Sequence, residues 1–164
     1  TINPRQSFYA FLGIKMALDM LDQFPPETRA FVAGLLDDAG KFTNFRDADY
    51  FVLRGQFERT NEYFEKAFLL APNMPRLYIE WGKNLAYSGD YTSAIRKYEY
   101  YLSLAPEYWK WKGRMDLTRE QKEKVRIFHK LNPAFDEVFA LILDAAKKSS
   151  NHKKIQQYAN FVSL

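Results

Sequence analysis

Apolar and polar residues along this chain recur with the period of an α-helix almost from end to end. Ala94, Ile95, Tyr98, Tyr101 and Leu102 fall at i, i+1, i+4, i+7 and i+8, one side of a helix, which leaves Arg96, Lys97 and Glu99 for water and turns Tyr100 away from Tyr98. Upstream, Tyr78, Trp81, Gly82 and Leu85 form a second stripe at i, i+3, i+4 and i+7. Gly89 stands where the first of these helices must stop, since glycine accepts the left-handed turn that closes a helix. Pro106 stands where the second must end.

The remainder divides in the same way. Residues 4–24 and 25–40 predict two further helices, separated by Pro25-Pro26 and closed by Gly40. The first is apolar on two sides, with Phe8, Phe11, Leu12, Leu18 and Leu21 on one and Tyr9, Met16 and Met20 on another. A helix of that kind is buried between neighbours or shared with a second copy, so self-association through it, or a missing neighbour, is expected. After an irregular connection, Thr118 with Gln121 predicts a capping box opening a helix whose stripe is Leu117, Val125, Phe128 and Leu131. Asn132-Pro133 predicts a cap and first position for the apolar helix "AFDEVFALILDAAKK". The closing "NHKKIQQYANFVSL" parallels the 95–104 segment through Ile155, Tyr158 and Ser163-Leu164 at a step of 60 (155 − 95), after a turn "KKSSN" that reads as longer than "SGD".

One spacing recurs more strictly. Gly55-Gln56-Phe57 matches Gly89-Asp90-Tyr91, Phe64 matches Tyr98, Phe68 matches Leu102, and Leu70-Ala71-Pro72 matches Leu104-Ala105-Pro106, each pair 34 residues apart (89 − 55). A fixed step of that size marks a repeat architecture. Small Gly82 allows two helices to approach closely, and its counterpart by position is Ala48.

This pattern resembles the tetratricopeptide repeat, a helix–turn–helix unit of about 34 residues. Residues 75–108 carry its landmarks at Tyr78, Gly82, Leu85, Gly89, Tyr91, Ala94, Tyr98 and Pro106. Residues 41–74 match through Ala48, Phe51, Gly55, Phe57, Phe64, Ala67 and Pro72. Trp81, Tyr101, Asp47 and Thr60 depart from the pattern. The resemblance implies an all-α, right-handed superhelical array of antiparallel helix hairpins, with about nine helices in one domain spanning 1–164. Its parts would be an N-terminal helix pair (1–40), a repeat-like hairpin (41–74), a clear repeat (75–108), an irregular connection with a helix (109–132) and a degenerate hairpin (133–164).

The family's usual employment is holding a segment of another protein in a groove lined by the first helix of each repeat. By position this nominates Phe42, Phe45, Arg46, Asp49 and Val52, then Arg76, Ile79, Glu80, Lys83 and Tyr87. Some members clamp a C-terminal carboxylate with Lys and Asn one turn apart. The pairs at those places here are Phe45/Asp49 and Ile79/Lys83, so that clamp is not reproduced. The expectation is a non-catalytic scaffold or adaptor for a partner protein's peptide or helix, as part of a larger assembly.

Composition narrows the chemistry. The absence of cysteine excludes disulfides, thiolate metal sites and a cysteine nucleophile. His129 and His152 lack metal-cluster spacing, Asp37-Asp38 and Asp136-Glu137 are neighbours that do not face each other on a helix, and no phosphate-loop or nucleophile-elbow motif is present. No enzyme activity, cofactor or metal is therefore expected. No apolar run approaches the roughly 20 residues that span a bilayer, so a soluble piece is expected, and a cysteine-free chain leaves cytoplasm and periplasm both open. The chain opens on Thr1 and stops where a third closing proline would come, so a piece cut from something longer is expected.

The net charge of +4 is uneven. Residues 1–100 hold 12 basic and 13 acidic side chains, residues 101–164 hold 12 and 7. The basic excess falls near "YWKWKGR" and on the row Arg119, Lys122, Arg126 and Lys130. Trp109, Lys110, Trp111 and Lys112 could stack on bases and neutralise phosphates. The plainer reading is a loop plugged by Trp109 or Trp111 with its lysines in water, and a solvated helix side beyond it. Nucleic-acid or polyanion binding through 108–130 is thus the alternative, as is a regulatory repeat domain of a larger enzyme.

Overall fold

A computed structural model describes residues 23, 25–41, 48–104, 111, 114, 116–131 and 134–162 of the chain. Among these residues the fold is all-helical, with eight α-helices and no strand. The expected first helix over 4–24, with its proposed role in self-association, lies outside the described residues. So do Phe42, Phe45, Arg46, Pro106, Trp109, Lys110, Lys112 and the Asn132-Pro133 cap. The chain divides into two compact units, residues 1–72 and 73–164.

In the first unit, α1 (Pro26–Lys41) runs one residue past Gly40, and α2 (Ala48–Glu58) pairs with α3 (Asn61–Leu70). Val52, Leu53, Phe64 and Ala67 are fully enclosed between them. Gly55 does not end a helix, contrary to its expected match with Gly89. It lies inside α2, where a Cβ would fall 2.7 Å from Cε2 of Phe64. Its task is close helix approach, the one anticipated for Ala48. The chain turns instead at Arg59, which takes φ +53°, and Thr60 caps α3. That cap accounts for a polar residue at a place where the repeat pattern wants a small or apolar one. The matched pair Phe68 and Leu102 also separates: Leu102 is buried and Phe68 is 41% exposed.

The second unit contains two hairpins. Pro75 opens α4 (Pro75–Tyr87) at its first position, where a missing N–H is harmless. Gly89 takes φ +88° in the turn, and the Asp90 carboxylate accepts from the Ser93 N–H at 3.1 Å to start α5 (Tyr91–Ser103). The predicted box is present at α6 (Arg119–Leu131): the Thr118 N–H donates to Gln121 Oε1 at 2.9 Å, and the Gln121 N–H donates to Thr118 Oγ1 at 3.2 Å. Then α7 (Ala134–Lys148) lies on α5 and reaches α4, and α8 (His152–Val162) returns along α7. A chain of rings runs through this core, Tyr101 to Phe135 to Phe139, with Phe128, Tyr158 and Phe161 at its sides.

The turns of the two hairpins repeat each other at a step of 61 (149 − 88). In the first turn the N–H groups of Ser88, Gly89 and Asp90 donate to the carbonyls of Asn84, Ala86 and Leu85. In the second, those of Ser149, Ser150 and Asn151 donate to Ala145, Lys147 and Ala146. Ser150 takes φ +53° in the place of Gly89, and Asn151 caps α8 as Asp90 caps α5, accepting from the Lys154 N–H at 3.2 Å. The turn is therefore not longer than its counterpart. On the first helices buried residues correspond as well, Leu77 with Val138, Tyr78 with Phe139, Trp81 with Ile142 and Leu85 with Ala146, whereas on the second helices buried Tyr98 and Tyr158 match at the expected step of 60.

Candidate functional site

Four side chains of α4 share one side of the helix at i, i+4, i+7 and i+11: Arg76, Glu80, Lys83 and Tyr87. The step of 61 gives the matching row on α7 as Glu137, Leu141, Asp144 and Lys148. The rows meet at Lys83, whose Nζ lies 2.9 Å from Glu137 Oε1 and 3.8 Å from Glu80 Oε1. Lys148 pairs with Asp144 at 2.8 Å, and that hydrogen bond raises its pKa. Tyr87 closes the α4 row, 70% exposed.

Beneath the face lies Tyr98, packed on Gly82. Burial pushes its phenol well above the ordinary range, and the carboxylates of Glu80, Glu137 and Asp144 push in the same direction. Tyr78, which meets the ring of Tyr100 at 4.3 Å, is pushed up to about 12 by burial and by its hydrogen bond with Tyr100. Tyr78 and Tyr98 are therefore neutral at pH 7. The chemistry of the face is that of a mixed-charge surface with one exposed aromatic ring.

The sequence-nominated groove residues have different fates. Arg76, Glu80, Lys83 and Tyr87 stand together on α4. Ile79 is buried at 5% exposure and belongs to the core, as does Val52 in α2. Asp49 is exposed on α2 in the other unit. Of the basic-aromatic stretch, Trp111 is half-buried and Arg114 forms an ion pair with Asp116, its Nε donating at 2.9 Å. Arg119, Lys122 and Arg126 are exposed on α6, with Arg126 held by Glu123.

Several polar residues escaped sequence reasoning. Glu99 and Lys97, assigned to the wet side of α5, are both half-buried. The Glu99 carboxylate accepts from Lys154 Nζ and, at 2.9 Å, from the Tyr158 hydroxyl, joining α5 to α8. Lys97 Nζ sits 3.4 Å from the centre of the Trp81 ring, a cation–π contact. In the first unit, buried Arg54 bonds Glu58 and the Tyr63 hydroxyl. Glu99, on a helix edge, gives no local sign that Lys154, 55 residues away, will cover it.

Among the described residues, no group of three His, Asp or Glu side chains could hold a metal ion, and no helix is long and apolar enough to cross a membrane. Comparisons with family models, with curated proteins and with solved structures found nothing that matches the chain.

Proposed function

We propose that this chain is a tetratricopeptide-like helical-repeat scaffold, without catalysis of its own, that holds a segment of a partner protein across the α4–α7 face. The observation that carries the reading is the repetition of one turn at a step of 61, with matching buried positions on α4 and α7. Repetition sets corresponding helices next to each other, so α4 and α7 offer equivalent rows to a single extended ligand. Glu80, Lys83, Glu137 and Asp144 would bond a peptide's polar groups, and Tyr87 would be its aromatic anchor, the residue type that carries most energy at protein interfaces. The superhelical arrangement of further repeats, and a role as adaptor in an assembly, belong to the same proposal.

Affinity capture with the chain carrying Arg76→Glu and Tyr87→Ala tests it. Neither substitution touches the enclosed core, so the variant should stay folded and lose the partner retained by the parent chain. Retention of the same partner at equal yield would move the binding surface elsewhere.

A further inference from the structure

The α6 helix holds five basic and two acidic side chains. Arg119, Lys122, Arg126 and Lys130 lie at i, i+3, i+7 and i+11, a line of roughly 16 Å at 1.5 Å per residue. Phe128 projects to the opposite side, where its ring meets Phe135 edge-on at 4.9 Å, so the basic line faces away from the α7 contact. Both carboxylates are engaged, Glu120 with Lys124 at 2.7 Å and Glu123 with Arg126 at 2.6 Å. Arg119, Lys122 and Lys130 are exposed and meet no described carboxylate.

Like charges at these helical spacings repel one another. A helix side kept only for solvation gains nothing from such a line. Lys66 of α3 and Lys148 of α7 each meet a carboxylate one turn away. The unbalanced line calls for an anionic counter-surface. One feature chooses its class. Ile127, beside the line and 46% exposed, offers one apolar contact, which suits a protein helix and is too little to enter a bilayer.

We propose that α6 is a docking strip for an acidic amphipathic helix of a partner protein, its carboxylates spaced to follow Arg119, Lys122, Arg126 and Lys130 and one apolar side chain covering Ile127. This strip acts independently of the α4–α7 face.

The test uses the full chain and a labelled helical peptide bearing glutamates at that spacing plus one leucine, followed by fluorescence anisotropy at low and moderate salt. Comparison probes are a scrambled peptide of equal composition, a single-stranded oligonucleotide of equal charge and anionic vesicles. The patterned peptide should bind, weaken with salt, and lose about tenfold in affinity with Arg119→Glu, Lys122→Glu and Lys130→Glu combined. The milder set Arg119→Gln, Lys122→Gln and Lys130→Gln should lose less, and Tyr87→Ala nothing. No binding at low salt, equal binding of the scrambled peptide, or tighter binding of the oligonucleotide or vesicles overturns the proposal.

Discussion

Gly82 lies directly against the Tyr98 ring: a Cβ at residue 82 would fall 2.7 Å from Cδ1 and 2.9 Å from Cζ of a side chain that is almost wholly enclosed. The α4–α5 hairpin depends on that contact, because a buried ring has no room to retreat. Gly82→Ala should therefore destabilise the second unit by about 1–3 kcal/mol, as overpacking does. Gly34→Ala in α1 meets nothing within 4 Å and should be neutral or stabilising by up to about 1 kcal/mol. Urea melts of the two variants check the contrast, and equal effects would refute it.

Truncating the rings on α5 separates its sides. Tyr98→Ala should cost about 3–5 kcal/mol. Tyr100 is 43% exposed, yet it is not free in water, since it packs on Tyr78. Tyr100→Ala should cost about 1 kcal/mol, the worth of an aromatic pair. Urea midpoints that rank these two in the reverse order would place the core on the wrong side of α5.

The two equivalent turns differ at Asp90 against Asn151, both caps, and at Gly89 against Ser150, both at positive φ. A side chain in the left-handed region costs about 1–2 kcal/mol. Gly89→Ala should thus lower stability by about that amount, whereas Ser150→Gly should raise it by under about 1 kcal/mol after the entropy of glycine is counted. Thermal unfolding reports both signs.

Much of this architecture can be read from periodicity alone. The stripes of 75–87, 91–103 and 134–148 and the box at Thr118 and Gln121 are local patterns, and each element they predict is present. The failures come from residues with two possible tasks. Glycine serves both to stop a helix and to let one approach another, so Gly55 looks like Gly89 but acts like Gly82. A serine at positive φ gives no such sign, which hid the equivalence of Ser149-Ser150-Asn151 with Ser88-Gly89-Asp90. On the face itself, the α4 row was visible through the family resemblance. Its α7 counterpart was not, because the 109–132 insertion breaks the 34-residue step. Ile79 was misplaced for another reason: one side of α4 packs on α5 and an adjoining side is covered as well, so the buried arc is wider than one stripe.

The buried phenols predict a response to alkali. Tyr78 is pushed up to about 12, and Tyr98, Tyr101 and Tyr158 are raised by burial, whereas unfolded tyrosine ionises near 10. Above pH 10 the folded chain holds protons that the unfolded chain releases, so stability must fall as pH rises from there through 12. The urea midpoint should drop between pH 9 and pH 11.5, and by less in Tyr98→Phe. An unchanged drop in that variant would remove the burial argument for this residue.

Glu99 is the shared acceptor for Lys154 and Tyr158. Glu99→Ala strands both donors at a half-covered site and should cost about 1–3 kcal/mol. Glu99→Gln keeps an oxygen for the Tyr158 hydroxyl and should cost less. A double-mutant cycle with Lys154→Ala measures the coupling, and a value near zero would show that α5 and α8 hold together without this link.

The claim that α4 and α7 jointly hold a partner is tested most directly by site-specific photocrosslinking in cells. A photoreactive phenylalanine analogue at Tyr87, at Arg76 or at Leu141 should give the same protein adduct, and one at Thr92 or Gln156, on the second helices of the two hairpins, should give none. Adducts that form equally from Thr92 and Gln156, or that fail to form from all three face positions, would contradict the account.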